Sequence, residues 1–328
     1  MVRRRSILAG AAAAAAAALP HAARPARGQG PAWPTRPVRW IMPSAPGGNP
    51  DILARLWAQR LSERLGQSVF VENRPGASGI IGTEGAMNAA PDGATMLFGF
   101  NQLTSLNRLI FRRLPYDPGR MTRVALMSDT PYVMLVHRSI PAATVPEFVA
   151  YARAHPGRVA LGTAGPGTFA RLIGELLMRD ARIELLHVPH RQTPRNELVG
   201  GQVQLGFEPM ALAHALVQGP DATLRALAIT GDRPEPTMPG VPLMREFYPG
   251  FVVVAFHGVW GPPGMAQEAV DGMAAAIAAT AGDPWLLDRM RVLGTRVIGT
   301  GPATLDAAMA RDLALWEPVV REKGITAD

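Results

Sequence analysis

Two loops of the 328-residue chain carry the residue types that hold small anions. The first runs Pro43-Ser44-Ala45-Pro46-Gly47-Gly48-Asn49-Pro50-Asp51, and the second Gly162-Thr163-Ala164-Gly165-Pro166-Gly167-Thr168. In each, glycines let backbone N–H groups come close to a ligand. A helix starting after each loop would aim its free amides and positive partial charge at the same spot. A carboxylate or another anion suits such a place. Ser44, Ala45, Gly47, Gly48 and Asn49 are the candidate contacts in the first loop. Thr163, Gly165, Gly167 and Thr168 are those in the second, with both hydroxyls as ligand donors. Thr168 also fits as a helix cap. Asp51 caps its helix or holds the first loop from behind. An ordinary tight strand-to-helix turn would account for the first loop as well. Phosphate fits the geometry too, but neither loop has a P-loop lysine or a G-x-G-x-x-G.

Signatures of catalysis are missing. Gly76-Ala77-Ser78-Gly79 is out of register for G-x-S-x-G, and no H-E-x-x-H occurs. His187 and His190 lie close, but Pro189 keeps them off one helical face, and no carboxylate pair completes a metal site. They read as a structural or ligand-contacting pair. Glu208 ends an apolar strand and either faces a cleft or pairs with an arginine on its rim. His187, His190 and Glu208 form no recognised catalytic set, so no residue is assigned to catalysis and none to a metal. The absence of cysteine excludes disulfides, thiolate zinc sites and a cysteine nucleophile.

Alternating strands and helices must position these loops. Residues 38–42 read as a buried strand. Leu53, Leu56, Trp57, Leu61 and Leu65 recur at helical spacing and predict a helix over 51–65. A strand over 68–72, a helix over 80–89 and a strand over 95–100 follow. This βαβαβ rhythm predicts a parallel sheet with helices on both faces. It resumes with a strand over 132–136, a helix over 145–154, a strand over 159–162, a helix over 168–178, and strands over 185–188, 203–207 and 224–229. Residues 251–254 read as a strand returning to the first unit, and 265–280 as a helix. Leu305, Met309, Leu313, Trp316 and Val320 mark a last helix. The expected fold is α/β with two α/β domains, residues 29–130 plus 255–328 and residues 131–254. Ligands of such sheets sit at the carboxyl ends of the strands, here the cleft between the domains.

The N-terminus reads as an export signal. Arg3, Arg4 and Arg5 precede an alanine-dominated apolar run and a small-residue stretch ending near Gly28. That run is too short to span a bilayer, which needs about 20 residues. Both twin-arginine and Sec export fit, with Gln29 as the expected new N-terminus. The signal also distorts the charge. The chain has 33 basic and 26 acidic residues, but residues 1–28 hold five arginines and no acid, which leaves 28 against 26 and a net of +2. With no basic stripe interleaved with aromatics, nucleic acid is not an expected partner.

The ordered motifs resemble those of the substrate-binding proteins of tripartite tricarboxylate transporters, the TctC or Bug family. The matching pieces span nearly the whole chain beyond the signal. They include Trp33-Pro34-Thr35-Arg36-Pro37-Val38-Arg39, Pro46-Gly47-Gly48 with Asp51, and Glu72-Asn73-Arg74-Pro75-Gly76, the piece most specific to that family. Pro91-Asp92-Gly93, Leu114-Pro115-Tyr116-Asp117-Pro118, the second loop, His187-Val188-Pro189 and Gly200-Gly201-Gln202-Val203 continue the series. The resemblance implies a periplasmic type II solute-binding fold with a hinged cleft. It implies a small mono- or dicarboxylate held by the two loops, no cofactor, no metal, and membrane transporter subunits as partners. A sensor subunit serving a membrane kinase would look alike, whereas an envelope enzyme acting on a carboxylate in the same cleft would need a positioned base or nucleophile. The chain is expected to be a monomer located in the periplasm. Asn101, His190 and Glu208 join the loops as expected ligand contacts, and His187 joins Asp51 as loop support. The chain departs from the family at Ser44 (an aromatic is common there), at His190-Arg191-Gln192 in place of Tyr-Lys-Gly, at Glu208 in the region of a common Asp, and at Gly261-Pro262-Pro263-Gly264-Met265-Ala266. His190 would offer the ligand's far end a titratable donor if it faced the cleft.

Overall fold

The computed structural model describes residues 33–165, 167–220 and 222–327. The expected export signal lies outside the described residues, as does Pro166 of the second loop. In chain order, β1 (Val38–Met42) feeds α1 (Asn49–Leu65), then β2 (Val69–Asn73), α2 (Ile80–Met87) and β3 (Thr95–Phe100). A π-helical turn over Gln102–Leu106 and the short α3 (Asn107–Ile110) lead to the 16-residue β4 (Thr122–His137). Next come α4 (Val145–Ala154), β5 (Ala160–Thr163), α5 (Phe169–Ala181), β6 (Leu186–Pro189), α6 (Arg195–Val199), β7 (Leu205–Pro209), α7 (Met210–Leu216) and β8 (Leu224–Ile229). The order closes with α8 (Met244–Phe247), β9 (Val254–Gly261), α9 (Gln267–Thr280), α10 (Pro284–Val292), β10 (Arg296–Thr300) and α11 (Pro302–Lys323).

One curled sheet runs through two α/β lobes. In the first, β1 lies between β2 and β3 and is parallel to both, which gathers the loops after all three strands at one edge. In the second, β5 is parallel to β6 and β7. The long β4 joins the lobes. Up to Pro131 it pairs with β9 and β10, and from Tyr132 it pairs with β7 and β8. Only its second half is legible as a strand. Residues 122–131 mix polar side chains with apolar ones and end in proline, which argues against a central strand. The polar members are paired in the fold: Asp129 with Arg296, and Thr130 with Thr295 at 2.8 Å. The strand expected over 251–254 is displaced. β9 starts at Val254, and the chain before it is anchored by Val253 N donating to Thr230 O at 2.8 Å.

The helix periods place the core. α1 turns Leu53, Ala54, Trp57, Ala58 and Leu61 inward, and Gly66, left-handed at φ 63°, ends it. These side chains meet Trp40 of β1 and Phe98 of β3, whose rings lie 5.5 Å apart. Burial of each large apolar side chain contributes roughly 1.5–3 kcal/mol. A second core fills the other lobe with Phe148, Leu161, Leu172 and Leu176, and it also takes in Trp316, Val319 and Val320 from α11. One C-terminal helix therefore serves both lobes. No helix among the described residues is long and apolar enough to cross a membrane.

Candidate ligand-binding site

The first loop leaves β1 and enters α1 with residues 45–48 exposed. Asp51, buried, holds it from behind. Its Oδ2 accepts from Gly47 N at 2.9 Å and Arg55 Nε at 3.1 Å, and its Oδ1 accepts from Asn73 Nδ2 at 2.8 Å. The Asn73 amide also donates to Ser44 O at 3.0 Å, while Arg55 donates to Asn73 Oδ1 at 2.7 Å. Burial works against ionisation of Asp51, but the bonds from Arg55, Gly47 and Asn73 outweigh it and hold the carboxyl below its ordinary range. Gly48 sits at the N-cap without a side-chain cap, so the first amides of α1 are left to solvent or a ligand. Gly47 has φ 78°, a conformation that needs glycine, whereas Gly48 at φ −71° does not.

The second loop is organised around the Gly165 carbonyl. It accepts from the Thr168 hydroxyl at 2.9 Å and from the Thr163 hydroxyl at 3.3 Å. Thr168 occupies the N-cap of α5, but its side chain does not cap the helix. The expectation of two free hydroxyl donors is thus corrected: both turn inward, and the open donors are the first amides of α5. His187 Nε2 lies 2.6 Å from Thr163 Oγ1. Burial, and then the Arg171 charge, lower the His187 pKa to about 4, so the ring is neutral near pH 7 and braces the loop. Because the shift is downward, the stability it supports is complete above about 6.5 and is lost as pH falls toward 4. A proton NMR titration of the ring should show no protonation above pH about 5. A midpoint near 6.5 would mean that His187 is not buried against Thr163.

A cavity of about 220 Å³ opens beside this loop, lined by Thr163, Thr168, Phe169, Tyr132, Arg195 and Glu208 among others. Gln102 reaches it from the first lobe, its Nε2 donating to Gly167 O at 3.5 Å. Glu208 is buried, and Arg195 Nε approaches its Oε2 at 3.4 Å. Burial raises the Glu208 pKa, with the Arg195 charge opposing it. The Tyr132 hydroxyl is pushed up by burial and then by the Glu208 charge. The site therefore has two chemical ends: helix amides suited to an anion, and a desolvated acid suited to a hydrogen-bond donor.

A family model described as the tripartite tricarboxylate transporter family receptor, TctC, matches residues 53–325. The chain belongs to the TctC family. Among relatives, a UPF0065 protein of Pseudomonas sp. (strain P51) is 31% identical over 100% of this chain and 96% of its own length. BugT of Bordetella pertussis is 28% identical over 89% of this chain and 90% of its own. Among solved structures, R. palustris Rpa4515 with adipate has a TM-score of 0.79 at 30% identity, covering 90% of this chain and 99% of its own. MatC of Rhodopseudomonas palustris with bound malate has a TM-score of 0.75 at 29% identity, covering 88% of this chain and 100% of its own.

Several residues of this TctC chain sit apart from their expected places. Asn101 is buried and its amide is committed to Val254 O and Asp312 Oδ1, both at 3.2 Å, which gives it a structural role. His190 does not line the cavity. It borders a neighbouring depression with Arg191, Gln192 and Thr193, its backbone N–H bonded to Thr163 O at 2.8 Å and its Nε2 buried without a partner. The pH-dependent contact expected of it has no geometric basis here. Ser44, Ala45, Gly47, Gly48 and Asn49 also lie outside that cavity's lining, on the first lobe. The sequence reading missed Gln102, Tyr132 and Arg195, since nothing local marks a glutamine after a strand as a cleft residue. Asn73 carried a signal, the Glu-Asn-Arg-Pro-Gly piece, whose role is to tie β2 to the first loop. Among the described residues no group of three or more His, Asp or Glu side chains could hold a metal ion.

Proposed function

We propose that this TctC-family chain is a periplasmic receptor that captures a small carboxylate for a tripartite tricarboxylate-type transporter, and that it performs no chemistry on it. The observation that carries this reading is the cavity of about 220 Å³ at the start of α5, which Thr163, Ala164, Thr168 and Phe169 line together with Glu208. The adipate and malate held by solved relatives support the ligand class. The lobes, residues 29–130 with 255–328 and residues 131–254, close on the ligand about β4 and β9. The change of β4 partners between Pro131 and Tyr132 supports that hinge. Closure brings the exposed first loop, with Ser44 to Asn49, onto the ligand held by Thr163 to Thr168.

Glu208 narrows the class. A ligand whose far end donates a hydrogen bond, through a hydroxyl or an amino group, satisfies a buried carboxylate, whereas a bare second carboxylate meets like charge. A thermal-shift and calorimetry series with succinate, malate and aspartate, equal in carbon number, tests this by mass action. Malate or aspartate should bind about tenfold tighter than succinate, and Glu208→Gln should erase most of that gap. If no carboxylate raises the melting temperature, the receptor reading fails. If succinate binds best in both proteins, only the role given to Glu208 fails.

A further inference from the structure

The site described above makes no use of Asp312, a buried acid on α11, 8% exposed. Its Oδ1 accepts from Asn101 Nδ2 at 3.2 Å and from Trp316 Nε1 at 3.0 Å, and the Ser105 hydroxyl also acts on the carboxyl. Asn101 and Trp316 each begin an arm that ends at the second loop. Asn101 also donates to Val254 O, where β9 begins, and the next residue, Gln102, donates to Gly167 O at 3.5 Å. Trp316 stands edge-on to Phe169 with centroids 5.5 Å apart, and Phe169 opens α5 and packs against Tyr132 at 5.2 Å. The two arms therefore end on Gly167 and Phe169, the neighbours of Thr168 on either side.

We propose that Asp312 is a positioning residue for ligand capture: by gripping Asn101 and Trp316 together, it holds the second loop of one lobe against the π-helical turn of the other. The inference rests on the receptor reading, since the loop it positions is the proposed carboxylate site. Burial raises the Asp312 pKa to about 6, with hydrogen bonds from Ser105, Asn101 and Trp316 opposing it in that order. Above that pH the ionised acceptor makes charge-assisted bonds, roughly twice as strong as neutral ones. Below it, the neutral carboxyl is a weaker acceptor for both donors. Affinity therefore rises as Asp312 ionises, and by linkage ligand binding lowers its pKa.

The other charged groups around Asp312 are few. Arg311 precedes it on α11, and Arg296 of β10, paired with Asp129 of β4, lines the same groove. Burial also raises the Asp129 pKa, against its bonds from Arg296. On β9, His257 is lowered by burial to about 4 and stays neutral. On α5, Arg171 is paired with Glu175. Thr104 and Ser105 of the π-helical turn are uncharged.

L-aspartate suits the test because both its carboxylates stay ionised between pH about 5.5 and about 7.5. Calorimetry with it should show wild-type affinity falling about fivefold as pH is lowered from about 7.5 to about 5.5. Asp312→Asn should bind as weakly at the upper pH as the wild type does at the lower, with no slope. Asp129→Asn should keep the Asp312 slope. Hydrogen exchange over residues 162–169 of the ligand-free protein, corrected for intrinsic rates, is read alongside and needs no ligand. It should be faster in Asp312→Asn and in the wild type at low pH. If Asp312→Asn does not fold, Trp316→Phe, which keeps the ring and removes one donor, should lose part of the affinity and of the protection. An unchanged slope together with unchanged exchange in Asp312→Asn overturns the proposal. Should aspartate fail to bind any form, the receptor reading is what suffers, and unchanged exchange alone then decides against the grip.

Discussion

Gly165→Val is expected to weaken carboxylate binding at least about a hundredfold, some 2.7 kcal/mol, without unfolding the protein. Gly165 holds φ 118°, a region that a β-branched side chain does not enter without strain of about 1–3 kcal/mol. Among the described residues no atom beyond the adjacent ones lies within 4 Å of the missing Cβ, so the obstacle is the backbone and not the space. To relieve it, the loop must turn its Gly165 carbonyl away from the Thr163 and Thr168 hydroxyls, which disperses the open mouth of α5. The cores do not pass through this loop, so the cost to global stability stays near the strain itself. Gly48→Val is the companion. Gly48 is extended at φ −71°, and the nearest atom to an added Cβ is Ala45 O at 3.6 Å, so the free protein accepts valine there. A loss of affinity in Gly48→Val would report a side chain standing where the ligand must come, once the lobes close. Calorimetry with malate, beside circular dichroism for the fold, checks both. Unchanged affinity in both variants would place the ligand elsewhere.

Asp51→Ala should cost about 2–4 kcal/mol of stability at pH 7 and loosen the first loop with it. The carboxylate collects bonds from Gly47, Arg55 and Asn73. Bonds to a charged group contribute about 1.5–3 kcal/mol each and do not simply add. The substitution leaves the Asn73 amide with Ser44 O alone and frees the Gly47 amide that shapes the turn. The pH dependence has a definite sign. The Asp51 pKa is depressed in the fold, so its contribution is present above the unfolded value of 3.8 and is lost as pH falls through the folded one. Urea denaturation of both proteins should show the full gap near neutral pH and a shrinking gap in strong acid. A gap that stays constant down to pH about 2 would mean that the lost stability came from packing rather than from ionised Asp51.

Much of this architecture was legible because it is local. The spacing of Leu53, Trp57 and Leu61 dictates which face of α1 is buried, and glycine and threonine at the end of a strand dictate a tight turn into a helix. β4 was half hidden because its first ten residues pair through partners far away in sequence. Asp129 is neutralised by Arg296, 167 residues on, and no window around Asp129 carries that fact. For the same reason the structural role of Asn101 was hidden: a polar residue after an apolar strand looks free until Asp312, 211 residues away, is seen to hold it.

The sequence by itself determined the α/β class, the TctC relationship, the two glycine-bearing loops that open helices, and the choice of Asp51 as the residue behind the first of them. These follow from short-range spacing and from which side chains the backbone conformations admit. Only the tertiary structure decided which groups share a cavity. It brought Gln102, Tyr132, Arg195 and Glu208 to the start of α5 and turned the Thr163 and Thr168 hydroxyls inward. It also set His190 outside the cavity lining. A cavity is made by elements that meet after long excursions of the chain, and the burial that shifts Glu208 and Asp312 exists only once those elements have packed.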